Sequence, residues 1–600
     1  MARKRRTDLQ DFPSLFQAVE IQDLSIHPNG GTVIASINKG LNWELARLNL
    51  KDGAMRRFLA GDQSLLSPVH SPDGEWIAYN ADFEGDEEYD VFVIRSDGRG
   101  QPKKLTDGVA DNEHPDFSPD GQRVAFVSTR KKDMENLYTV SARGGHLKRL
   151  TNEELPVRDF AWSPDGTRIA YGTGINDEDY ISVVDVAKQK SKKVLASRNV
   201  EYGIVGDYGG KAFQWSRDGK RLLFTSNEND PIDIGVLDLA TRRRRWLVTS
   251  QNDKYSPQWS ADEACLSYQE VHDPDVVLKM RVGEDSRVAS PRNGTSRIPH
   301  WLPDGTGMLF ANGSSVRPEE LFLVRRGRPK KVTAFSKDRL PTRRLSQPRL
   351  VKYKSFDGRT ISALLFVPKD GASGRGVVIP HGGPEMQSVN YWDQIVQMFV
   401  MKGFSIILPN YRGSTGYGRK FLHLHDGDLG GGDLKDTLYA GKYMVRSKLV
   451  DEKKLGFWGA SYGGFLCMLA LTKAPEMWAA GVSVVGFFDW ETELANERGY
   501  LRAYDLKKMG DPTENRELYR DRSSIHFLEN IRAPLLLTAS SRDVRCPPTE
   551  SRALVKKLEQ MGKEFEYYEY KDEGHWPRKR KNLRDLYERS VRFLDKRIPE

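Results

Sequence analysis

Six hundred residues are more than one hydrophobic core organises, so at least two domains are expected. The composition is that of a globular chain, 38% hydrophobic and 29% charged, and its 53 Gly and 30 Pro favour many turns. The net charge of +9 is scattered, and its densest runs, at residues 3–6, 242–245 and 578–581, have no aromatic platforms or nucleic-acid fold around them, so they read as solvated faces and no nucleic-acid partner is expected.

Residues 1–20 read as an N-terminal segment, basic at its start but without the apolar core of a signal peptide. No apolar run downstream is long enough to span a bilayer, so no membrane partner is expected. Cys265, Cys467 and Cys546 are an odd number without CxxC spacing, which indicates neither a disulfide framework nor a zinc site. A reducing, cytoplasmic setting is the expectation.

From residue 21 a turn motif recurs. Pro28-Asn29-Gly30, Pro72-Asp73-Gly74, Pro119-Asp120-Gly121 and Pro164-Asp165-Gly166 are followed by degenerate copies at Arg217-Asp218-Gly219 and Ala261-Asp262-Glu263, then by Pro303-Asp304-Gly305. The copies start 42 to 53 residues apart, and five carry a serine just ahead: Ser71, Ser118, Ser163, Ser216 and Ser260. Pro and Asp set a type I turn, Gly accepts positive φ, and an alternating strand such as residues 123–127 follows. Several short strands per repeat of this length predict propeller blades, seven of them, over residues 21–347.

The pattern changes near residue 348. A hairpin at 353–359 leads to the strand 361–367, and apolar strands at 377–380, 404–408, 455–458, 480–485 and 534–538 then alternate with helical stretches. Residues 348–600 are therefore expected to form a mostly parallel sheet covered by helices on both faces.

Within it, Gly459-Ala-Ser461-Tyr-Gly463 follows a buried strand and opens a helix, the arrangement of a nucleophile elbow. A serine nucleophile needs a base, an orienting carboxylate and oxyanion donors. On an α/β-hydrolase sheet these follow in the order Ser, acid, His. Asp543, just past the strand 534–538, and His575, in the loop after the strand 565–570, fit that order. Asp572 and Glu573 are too near His575 in sequence to orient it. The Gly-rich loop His381-Gly-Gly-Pro384 and the amide of Tyr462 are the candidate oxyanion donors, with His381 shaping its loop.

These residues, together with Asn410-Tyr-Arg-Gly-Ser-Thr-Gly-Tyr-Gly418, Asp543-Val-Arg-Cys-Pro547 and Glu573-Gly-His575, resemble the prolyl oligopeptidase family of serine peptidases, nearest its acylaminoacyl-peptidase-like branch. The resemblance implies an α/β-hydrolase catalytic domain preceded by a β-propeller that limits access. It assigns Ser461 as nucleophile, His575 as general base and acid, Asp543 as orienter, and the Gly383 and Tyr462 amides as the oxyanion hole. It further implies Arg545 as a grip on a substrate carbonyl or carboxylate, and Phe487, Phe488 and Trp490 as the wall of a pocket preferring apolar P1 side chains. Short peptides are the implied substrates, cleaved through an acyl-enzyme with no cofactor or metal, with dipeptidyl peptidase or carboxylesterase activity as alternatives of the same fold. A propeller binding scaffold with a degenerate hydrolase is the non-enzyme alternative. Homo-oligomers are common in the family, but no residue here fixes a state. The chain departs from the family at Ala539-Ser540, where His-Gly is usual, and at Cys546 and Trp576. The pair Glu87-Glu88 invites comparison with the amine anchor of dipeptidyl peptidases, but its surroundings read as a solvated hairpin.

Overall fold

The computed structural model describes residues 12–600 apart from 40–41, 83–84, 131–132, 176–177, 326 and 337–339; the basic run at 3–6 lies outside the described residues. Seven four-stranded antiparallel units follow one another from Glu20–Ile26 to Lys330–Lys331, each with its strands in chain order. The last two are joined by one parallel pair, Val276 with Thr295.

The recurring turn explains the recurring residues. In the third unit the Ser118 hydroxyl donates to Asp120 Oδ1 (2.5 Å) and accepts from the Arg123 amide (3.0 Å), while Gly121 sits at φ +70°. Ser163 and Ser216 repeat this geometry. In the degenerate copy Glu263 itself takes the left-handed position, φ +58°, and Ser260 still bonds Asp262. Neighbouring units are stitched by a repeated contact: Arg123, Arg168 and Arg221 lie over the rings of Trp162, Trp215 and Trp259 of the next unit.

Among the described residues no strand is exchanged between the first and last units, and the ring closes by side-chain contacts, the Arg297 guanidinium of the seventh donating to the Ile21 carbonyl of the first (3.2 Å). Val33, Ala35 and Ala46 of the first share an apolar cluster with Ile298, Leu309 and Leu321 of the seventh.

The second domain is one eight-stranded sheet. In chain order its strands are β1 (Arg349–Lys354), β2 (Thr360–Phe366), β3 (Gly374–Val378), β4 (Ser405–Asn410), β5 (Val450–Ala460), β6 (Ala480–Val484), β7 (Leu535–Ser540) and β8 (Phe565–Tyr570). The spatial order is β1-β2-β4-β3-β5-β6-β7-β8, antiparallel over the first three and parallel from β4 onward. β4, β6 and β7 are wholly buried because helices cover both faces. On one face lie α1 (Gln394–Met401) and the C-terminal helix Arg580–Arg597, on the other α2 (Gly432–Arg446) and α3 (Tyr462–Lys473). Phe12, Leu15 and Phe16 pack into the same cluster as α1, so this part of the N-terminal segment is held by the second domain rather than by the blades.

Candidate active site

Ser461 stands between the end of β5 and the first turn of α3, at φ 57° and ψ −126°. Its two flanking glycines are steric requirements. A Cβ on Gly459 would lie 2.0 Å from the Gly463 carbonyl oxygen, and one on Gly463 would lie 2.7 Å from that of Pro380. The strained turn is held by the Ser461 amide donating to Val484 O (2.9 Å).

The loops after the C-terminal ends of β7 and β8 bring the other two groups to this turn. His575 Nε2 lies 2.9 Å from Ser461 Oγ, and its Nδ1 lies 2.9 and 2.8 Å from the two oxygens of Asp543. Asp543 is aimed by the Arg545 and Cys546 amides, both 2.9 Å from Oδ1. Its own amide donates to the Ser540 carbonyl (3.3 Å), a backbone contact that does not depend on the side chains replacing His-Gly at 539 and 540. The neighbouring acids do other work. Glu573 accepts from the Arg578 and Lys579 amides and from Asn582, bracing the loop that carries His575, and Asp572 pairs with Lys579.

The loop after β3 lies against the nucleophile: a Cβ on Gly382 would be 3.4 Å from Ser461 Cβ. His381 shapes it, with Nδ1 2.8 Å from the Gly382 carbonyl, Nε2 2.8 Å from Ser414 Oγ and its ring stacked on Tyr411. Burial pushes this imidazole down to about 4, so it is neutral near pH 7. The Tyr462 hydroxyl donates to Asp433, which fixes the residue whose amide heads α3. Among the described residues neither the Gly383 nor the Tyr462 amide donates to another protein group, and both border the same cavity as Ser461. A donor pair, a serine and an oriented imidazole at one cavity can form and stabilise a tetrahedral adduct.

The cavity has a volume of about 760 Å³ and is walled by both domains, with Asp111, Glu113 and Arg158 lining it from the propeller. Phe487 and Trp490 line it, packed against each other at 4.7 Å between ring centroids. Phe488 does not. Its amide donates to Glu550 (2.8 Å), and its side chain lies in the core, where it is 1% exposed.

A second correction concerns Glu87. The expected solvated hairpin holds only for Glu88; Glu87, at φ 55°, is turned inward and buried, with Oε2 3.0 Å from Arg545 Nε. Burial acts to raise its carboxyl, but Arg545, Arg578 and His575 outweigh it and hold the group ionised. Arg545 thus lines the cavity while tethered to the propeller.

The sequence reading named none of the carboxyls that line the cavity, three of which stand on adjoining elements of the second domain. Glu493 and Glu497 follow Trp490 at helical spacing on α4 (Trp490–Asn496) and its cap, and Asp505 lies on α5 (Gly499–Met509). The i, i+3, i+7 pattern of Trp490, Glu493 and Glu497 was the available signal. An apolar P1 preference accounts for Phe487 and Trp490 but leaves these acids without a role.

Residues 390–599 match the model of the Prolyl oligopeptidase family, and residues 68–205 that of the TolB beta propeller domain. The chain is 22% identical to dipeptidyl aminopeptidase BIII of Pseudoxanthomonas mexicana over 95% of its length and 86% of the relative. It is 29% identical to the acylamino-acid-releasing enzyme of Sus scrofa over 71% of this chain and 56% of that one. A crystal structure of puromycin hydrolase shares the fold, with a TM-score of 0.86 at 18% identity, covering 98% of this chain and 96% of the other.

Proposed function

The chain belongs to the prolyl oligopeptidase family and is a serine-type peptidase related to acylaminoacyl-peptidases and dipeptidyl peptidases; from that premise we propose that it cleaves short peptides through an acyl-enzyme on Ser461. The observation that carries the proposal is the continuous hydrogen-bonded line from Ser461 Oγ through His575 to Asp543. Ser461 Oγ attacks the scissile carbonyl as His575 Nε2 takes its proton, and Asp543 holds Nδ1–H and the imidazolium that forms. The oxyanion is received by the Gly383 and Tyr462 amides. His575 then protonates the leaving amine, and a water activated by the same imidazole releases the acyl group. Substrates are short because the nucleophile lies in a cavity walled by both domains.

An exopeptidase that removes an acylated residue fits this site better than a dipeptidyl peptidase anchored on Glu87. That carboxylate already faces Arg545 and Arg578 and has no charge left to offer an ammonium group. The test compares acetyl-Leu, acetyl-Phe and free Gly-Phe p-nitroanilides on wild type and Ser461→Ala. The expected result is cleavage of the acetylated amides that falls on the order of 10⁴-fold or more in the variant. Preference for the free dipeptide would restore the dipeptidyl reading, and turnover surviving the substitution would remove Ser461 from the mechanism.

A further inference from the structure

The cavity beside Ser461 is lined by three neighbouring carboxyls, Glu493, Glu497 and Asp505, that make no ion pair among the described residues. Glu493 is 3% exposed, lines the cavity, and has an Oε2 with no hydrogen-bond partner, only the Cys546 thiol beside it. Glu497 and Asp505 lie close enough to share a proton. The other cations of the cavity are engaged elsewhere, Arg545 with Glu87 and Arg158 with Asp179. Arg502, near Glu497, is exposed and makes no ion pair among the described residues. Phe487, Trp490 and Leu501 line the same cavity with apolar and aromatic surface.

A long basic side chain has this distribution of chemistry, an aliphatic stem ending in a cation. Resting on the assignment of Ser461 as nucleophile, we propose that this part of the cavity is the P1 pocket and that it takes lysine or arginine side chains. The stem packs between Phe487, Trp490 and Leu501 while the charged end meets Glu493, Glu497 and Asp505. Burial pushes all three carboxyls up, repulsion from neighbouring carboxylates adds to it at Glu493 and Glu497, and an entering cation restores their ionised form. A neutral P1 side chain would leave a buried acid unpaired, which is the physical basis for rejecting it.

The test measures kcat/KM on blocked dipeptide p-nitroanilides with Arg, Lys, citrulline or Leu at P1. Citrulline keeps the shape of arginine without its charge. Arg and Lys are expected to exceed citrulline and Leu by about 30-fold or more, and the Arg-to-citrulline ratio should fall at least about 10-fold in Glu493→Gln and Asp505→Asn. Citrulline or Leu equalling Arg in the wild type overturns the proposal. So does a preference for free over acetylated Gly-Leu p-nitroanilide without an Arg preference, since the cation recognised would then be the substrate's amine. Should no substrate show turnover dependent on Ser461, calorimetry with benzamidine and neutral benzamide on wild type and Ser461→Ala decides the pocket alone. Selective binding of benzamidine to both would uphold it while the catalytic reading fell; equal or absent binding would overturn it.

Discussion

Ser461 shows how much can hang on single atoms. Its left-handed backbone is tolerated because Gly459 and Gly463 leave room for carbonyls that a methyl group would strike. Neither backbone neighbour can retreat without shifting β5, α3 or the loop after β3. Gly463→Ala is therefore expected to lower kcat at least about 100-fold and to destabilise the second domain by about 2–4 kcal/mol. Single-turnover kinetics and urea unfolding followed by tryptophan fluorescence would check the two effects separately, and wild-type activity would refute the steric account. At this scale the sequence was legible where spacing is local: the elbow, and the acid and histidine just past their strands. It was not legible at Phe488, whose amide donates to Glu550, 62 residues away, and whose ring faces the core. Glu87 was equally hidden, since its meaning depends on Arg545 across the domain interface.

Among the elements, the blades were readable because each repeats one turn, and its serine, aspartate and glycine are used together in one hydrogen-bond pattern. Their seams were less readable. His70, in the first strand of the second unit, bonds Ser25 of the first through Nδ1 (3.0 Å) and meets the His27 ring edge-on. Burial first, then His27 and Arg47, push its imidazole down from 6.5 to about 4. The folded state thus resists a proton that the unfolded chain accepts near pH 6.5, so stability falls as pH drops from about 6.5 to about 4 and this contribution is flat on either side. The loss is on the order of 3 kcal/mol for the propeller. Urea midpoints at pH 7, 5.5 and 4.5 would show it, and His70→Gln should flatten the wild-type dependence in that window; an unchanged slope would place the titrating group elsewhere.

Over the whole molecule, the two sides of the domain interface are built differently. Near the sixth and seventh units it is held by buried hydrogen bonds, with Asn390 bonding Pro274 O, Ser315 and Asp275, and Gln397 bonding Ser315 O. Near the second and third units it relies on ion pairs, Arg498 with Asp111 (3.0 Å) and Arg545 with Glu87. The ion-paired side is the one expected to part for entering peptides, because it borders the cavity, which Asp111 and Arg545 both line. Arg498→Ala should raise kcat/KM for a 20-residue peptide relative to an 8-residue one with the same scissile bond by about 3–10-fold. A ratio unchanged from wild type would mean that this pair does not limit entry. The sequence by itself determined the two kinds of domain and the order of Ser461, Asp543 and His575, because repeated turns, strand periodicity and residues at strand ends are set by neighbours along the chain. Only the tertiary structure decided what fills the cavity between them. Glu87, Arg545 and the carboxyls of Glu493, Glu497 and Asp505 acquire their burial and partners from groups far away in sequence, and burial and partners are what set a charge's chemistry.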